Sequence, residues 1–140
     1  PISSRNEPAR TGYRGYIGSR PVLGNRTPQA VQNLVIRDYC QRNRLTYLLA
    51  AAEYTMPACY MMLNEVLAEL PRLEGVVCYT LFMLPETTER RHEVYRRVIE
   101  AKASLHTALE GQVLRSADDI GRIEDIWLVQ RALAHAPKGL

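Results

Sequence analysis

The chain has 140 residues, a mass of 15.9 kDa and a formal charge of +3, enough for one domain with a core and too little for two. Hydrophobic residues make up 46% and charged residues 24%, a balance that excludes disordered, collagen-like and fibrous classes. The longest apolar run, residues 76–84 broken only by Thr80, falls far short of the ~20 residues that cross a bilayer; with no export signal either, a cytoplasmic protein without a membrane partner is expected.

Residues 1–11, PISSRNEPART, carry two prolines and no periodicity. They read as a flexible arm ahead of a single domain over 12–140. Tyr13 to Gly18 is the first predicted strand, and the loop SRPVLGNR follows it. Thr27 reads as an N-cap with Pro28 at the first helical position of a helix over about 28–43. Tyr47 to Ala52 is an apolar run of strand length, followed by Glu53, Tyr54, Thr55 and Met56 and then by a helix over about 57–70, opened by Pro57 and stopped by Pro71. That helix is apolar on more than one face, which suits deep burial or a contact between subunits, and a homo-oligomer is expected.

Val76 to Phe82 is the clearest strand, β-branched and aromatic with almost no polar residue, as a strand covered on both faces requires. It is placed at the centre of the sheet. A charged helix follows over about 88–102, capped by Thr87 or Thr88 and carrying an apolar stripe at Val94, Tyr95, Val98 and Ile99. Leu105 to Leu109 is a weaker fourth strand, and Ser116 with Asp119 forms a capping box ahead of a last helix through about Ala134, whose Trp127 belongs to the core. Strands alternating with helices need crossover connections, so the predicted fold is an α/β sandwich: an open, mostly parallel four-stranded sheet with helices on both faces.

In such sheets ligands bind beyond the carboxyl ends of the strands, where helix N-termini also point. That rule selects Ser19, Arg20, Arg26, Glu53, Tyr54, Met56, Cys59, Pro85, Glu86 and Glu110. Ser19, Arg20 and Arg26 surround the start of the first helix, where two guanidinium groups and the free N–H groups near Gln29 suit a phosphate or carboxylate. Residues 1–44 reinforce this, with eight arginines against two acidic residues, although the preference for arginine over lysine also follows from a GC-rich genome. Glu53, at a partly desolvated strand end, is expected to have a raised pKa and to act as general base, with Tyr54 as proton donor. Pairing of Glu53 with an arginine is the alternative. Cys40, Cys59 and Cys78 lack disulfide or zinc spacing and read as core thiols, with Cys59 kept as a candidate. His92, His106 and His135 are scattered, so no metal is expected, and His106 reads as structural.

The βα order and a first strand ending GYIGSR resemble the catalytic domain of serine recombinases, whose first strand ends in a tyrosine, arginine and serine run. Here Ser19 and Arg20 stand in a different order. Where that family carries an aspartate, arginine and leucine cluster after the third strand, this chain has Leu81 to Pro85, without a charged residue. The resemblance therefore implies the fold without DNA cleavage, and nucleic acid is not the expected partner. GYRGYIGSRP (12–21), QNLVIRDYC (32–40), EYTMPACYMML (53–63) and the LP at 84–85 are similar to the sporadic carbohydrate cluster proteins, small bacterial proteins encoded among sugar biosynthesis genes. That resemblance spans about residues 12–110 and implies carbohydrate or natural-product assembly, without a reaction to transfer.

The expected function is cofactor-independent proton transfer on a phosphorylated or nucleotide-linked sugar, by isomerisation, epimerisation or elimination. Glu53, Tyr54, Ser19 and Cys59 are the catalytic candidates, and Arg20, Arg26, Gln29, Met56 and Glu110 the substrate-binding ones. A non-catalytic sugar-binding or scaffold subunit is the first alternative and a degenerate recombinase-like nucleic-acid binder the second.

Overall fold

Strands that neighbour each other in parallel need a crossover between them, and the order of elements supplies one each time. A computed structural model of the protein describes residues 9–134; residues 1–8 of the predicted arm and His135 lie outside the described residues. The elements are β1 (Tyr13–Gly18), α1 (Gln29–Arg42), β2 (Tyr47–Glu53), α2 (Met61–Glu69), β3 (Gly75–Cys78), α3 (Thr88–Glu100), β4 (Ser104–Thr107), β5 (Gln112–Leu114) and α4 (Ile120–Ala134). They build one sheet in the order β2-β1-β3-β4-β5, parallel from β2 to β4 and antiparallel between β4 and β5. The mixed α/β architecture is as expected, with β3 at the centre and buried at all four positions.

The sheet has five strands where the sequence predicts four. β5 is only three residues long, too short to show a period, and it returns beside β4 through a turn in which Gly111 has φ +67°. Successive residues of β1 and β3 serve opposite faces, as the pleat demands. Ile17 and Val77 pack with Ile36, Tyr39 and Cys40 of α1. Tyr16, Val76 and Cys78 pack on the other side with Leu63 and Val66 of α2, Tyr95 and Val98 of α3 and Trp127 of α4.

Three boundaries differ from the sequence reading in ways that move the site. Pro28, not Thr27, occupies the N-cap of α1, and no side chain caps that helix. The second helix begins at Met61, because Ala58 after Pro57 turns into the left-handed region at φ +56°. β3 ends at Cys78, and its apolar continuation Leu81–Met83 coils into a 3-10 turn. The predicted capping box is present: Ser116 and Asp119 cap each other's backbone N–H groups ahead of α4.

Candidate functional site

The carboxyl ends of β1 and β3 and the β4–β5 turn open onto one cleft of about 490 Å³, lined among others by Arg20, Asn25, Arg26, Thr27, Tyr79 and Glu110. A tight reversal in the β1–α1 loop presents the two arginines. Val22 and Asn25 exchange backbone hydrogen bonds at 2.8 and 3.0 Å around Leu23 at φ +50° and Gly24 at φ +81°, the paired left-handed geometry of a two-residue hairpin turn. The ends of the loop are tied by the buried Gln32. Its amide nitrogen donates to the carbonyls of Gly18 (2.6 Å) and Thr27 (2.8 Å), and its amide oxygen accepts from the Gly18 N–H at 3.1 Å.

Glu110 enters from the opposite wall. It accepts from the Thr80 hydroxyl at 2.5 Å and from the Leu81 N–H at 2.9 Å, so it both caps the 3-10 turn and fixes a carboxylate at the cleft. Among the described residues neither Arg20 nor Arg26 forms an ion pair with an acidic side chain. The Arg20 guanidinium instead lies 4.8 Å from the centre of the Tyr60 ring, where Arg90 of α3 also reaches, at 5.3 Å. Guanidinium groups without a carboxylate partner make an open anion site.

Glu53 is placed differently. It is 4% exposed and sits under the start of α2, where its carboxylate accepts from the N–H groups of Met62 (3.0 Å) and Leu63 (3.1 Å), from the Tyr54 N–H (3.1 Å) and from the Tyr16 hydroxyl (2.8 Å). Burial pushes the Glu53 carboxyl up, but the bonds from Met62, Leu63, Tyr16 and Tyr54 outweigh it and hold the group below its ordinary value. The raised pKa expected from desolvation is thus corrected, because hydrogen bonds to the charged form win. Its phenol partner is Tyr16 and not Tyr54, whose side chain is 49% exposed. Neither Glu53 nor Tyr54 lines the arginine cleft.

The other sequence candidates scatter around this edge. Ser19 accepts from the Gln29 side chain at 2.6 Å, so these two meet each other without lining the cleft. Cys59 lies 3.8 Å from a Glu53 carboxylate oxygen, and Met56 is exposed nearby. Cys40 and Cys78 are buried core thiols; burial pushes Cys40 up to about 11 and Cys78 upward as well. His106 is buried between the Tyr39 hydroxyl (2.7 Å) and the Ser104 hydroxyl (3.0 Å), a structural role. Among the described residues no three His, Cys, Asp or Glu side chains are grouped to hold a metal ion, and no helix is long and apolar enough to cross a membrane.

Five residues of this edge went unselected by the sequence rule: Gln32, Tyr60, Tyr79, Thr80 and Arg90. Tyr79 and Thr80 were hidden inside an apolar run that continues past the strand end, and Tyr60 inside a helix that starts later than its proline suggests. A glutamine in the first turn of α1, on the face that meets the sheet, was the available signal for Gln32.

No protein-family model and no curated protein matches the chain. Solved structures do. The crystal structure of a resolvase family site-specific recombinase from Streptococcus pneumoniae aligns with a TM-score of 0.59 at 9% identity, over 85% of this chain and 88% of that one. The N-terminal catalytic domain of TP901-1 integrase aligns with a TM-score of 0.57 at 12% identity, over 86% of this chain and 98% of that one. The fold is that of recombinase catalytic domains. At such identities the likeness concerns the fold alone, and function must be argued from the site.

Proposed function

We propose that the carboxyl-edge cleft binds a phosphorylated or nucleotide-linked sugar and transfers a proton on it without a cofactor, in carbohydrate or natural-product assembly. The observation that carries this reading is the convergence of Arg20 and Arg26 with Glu110 on one cleft. The guanidinium groups neutralise the phosphate. Asn25, Thr27 and Tyr79 offer hydroxyl and amide groups for a polyhydroxylated body. Glu110 is the carboxylate within reach of such a body, so the base role passes to it from Glu53, whose lone pairs are engaged by α2 and Tyr16. On a sugar bearing a keto group, a proton on the neighbouring carbon goes to Glu110 and the electron pair moves to the keto oxygen, which the Tyr79 hydroxyl polarises; return of the proton to that carbon completes an epimerisation.

The test is calorimetric binding of hexose phosphates, followed by exchange of sugar C–H protons in deuterated water. Arg20→Ala and Arg26→Ala are expected to weaken binding at least about tenfold each, the loss of one good charged contact. Glu110→Gln is expected to keep binding and abolish exchange. A folded protein that binds no phosphorylated sugar overturns the reading.

A second reading, a subunit that docks on a pathway enzyme or on its own copy, is favoured by Leu128, Val129 and Leu133, which α4 leaves exposed. It predicts co-purification of a partner or a concentration-dependent mass. A nucleic-acid role for the arginines predicts DNA binding that weakens steeply with salt.

A further inference from the structure

A second cleft of about 280 Å³ lies against the first and shares with it the wall formed by Arg20, Val22 and Phe82. We propose that the two clefts form one composite site for a two-lobed ligand, a sugar joined to a nucleoside through a diphosphate, with the diphosphate at Arg20. This rests on the sugar-phosphate reading of the first cleft and narrows it to one substrate class.

The two sides differ in chemistry. The first cleft presents Asn25, Thr27, Tyr79 and Glu110, suited to a ring bearing several hydroxyl groups. The second is walled by Pro21, Pro57, Ala58, Tyr60 and Met83, surfaces that suit a flat, weakly hydrated ring. Tyr60 carries the Arg20 and Arg90 guanidinium groups over its ring, and a nucleobase stacks on an aromatic or guanidinium plane alike. Glu86 is the acidic side chain of that cleft, and it is neutralised by an ion pair with Arg131. Its carboxylate accepts from a base N–H without opposing an anion.

The charge layout fits the same ligand. Arg26 lies in the first cleft, Arg90 beside the second and Arg20 at their common wall, and none of the three has an acidic partner among the described residues. Three like charges held on one edge repel one another, and a dianion bridging the wall relieves that repulsion better than a single phosphate at one end. The left-handed Ala58, at φ +56°, shapes the second cleft by delaying α2 and leaving Pro57 and Ala58 as its floor.

Calorimetry on the full chain with hexose 1-phosphate, nucleoside diphosphates and nucleoside diphosphate sugars separates the possibilities. The joined ligands are expected to bind at least about thirtyfold tighter than either fragment, since tethering removes most of the second entropy loss. Arg90→Ala, an exposed change on α3, is expected to weaken nucleoside diphosphates about tenfold and leave hexose 1-phosphate unchanged, whereas Arg20→Ala weakens both. Hexose 1-phosphate binding with no nucleoside diphosphate binding overturns the composite site and leaves the sugar-phosphate reading standing. Nucleoside diphosphate binding that depends on Arg90, with no hexose 1-phosphate binding, upholds the second cleft and overturns the sugar reading of the first. A folded protein that binds neither overturns both.

Discussion

The Tyr16 hydroxyl donates to the Glu53 carboxylate at 2.8 Å, joining the end of β2 to β1 in a layer that solvent does not reach. Both residues are buried, and two further carboxylate bonds go to the backbone that starts α2. Glu53 therefore does for α2 what an N-cap side chain does for other helices: it satisfies orphan N–H groups and places a negative charge at the positive end of the helix dipole. Replacing it by alanine leaves a buried hydroxyl and two N–H groups without their acceptor and is expected to cost about 3 kcal/mol. Chemical denaturation measures the loss, and hexose phosphate affinity of the folded fraction is expected to stay at the native value.

Glu53→Gln separates the two roles for this residue. A catalytic base would keep its ligand and lose turnover; a helix-fixing carboxylate loses stability and keeps both. The second outcome is expected.

The protein is expected to lose stability as pH falls from neutral, in two steps. His106, whose ordinary value is 6.5, is pushed down to about 4 by burial, with a smaller contribution from Arg115. Between those values the unfolded chain binds a proton that the folded chain refuses, so unfolding is favoured as pH falls through that window. The full effect is about 3 kcal/mol, at one pKa unit per 1.36 kcal/mol. Glu53 acts in a lower range, because a depressed carboxyl contributes above its unfolded value of 4.5 and loses that contribution as pH falls through its folded one. Denaturation midpoints at pH 7, 5.5 and 4.5, with the His106 ring followed by NMR, check the order; a His106 that titrates near 6.5 contradicts it.

Arg91 holds α4 against α3. Its guanidinium makes two bonds to Glu124, at 2.8 and 2.9 Å, and lies 4.0 Å from the centre of the Trp127 ring; it also donates to the Pro85 and Glu86 carbonyls. Arg91→Ala empties a buried site and leaves the half-buried Glu124 carboxylate without its guanidinium, and is expected to cost about 3 kcal/mol. Arg91→Met combined with Glu124→Leu is expected to recover much of that loss, because the pair is removed together.

Gly75 is where β3 and β4 come closest to excluding any side chain. A Cβ there would stand 2.1 Å from the Ser104 carbonyl oxygen, a backbone atom that moves only if the strands separate. Gly75→Ala is expected to cost about 3 kcal/mol or more, read as a lowered melting temperature or insoluble expression.

The fold was legible because its signals are local. β3 is an unbroken apolar run, as burial on both faces requires, and α3 shows its apolar stripe beside charged residues. β5 was not, since three residues carry no period and its pairing with β4 is tertiary. Of the site, Arg20, Arg26 and Glu110 follow from the rule that ligands meet the carboxyl ends of strands. Tyr79 and Thr80 were concealed because the apolar run goes on to feed the 3-10 turn that Glu110 caps, and the direction of the Glu53 shift depended on N–H groups from a helix nine and ten residues further on.

The central claim is that an anionic sugar enters the cleft between Arg20, Arg26 and Glu110, and amide chemical-shift mapping with hexose 1-phosphate tests it most directly. Saturable shifts are predicted along residues 20–27 and 79–82 and at Glu110, and they should vanish in Arg20→Ala. Shifts confined to the opposite edge, around Arg14 and Glu69, or no shifts at millimolar ligand, would contradict it.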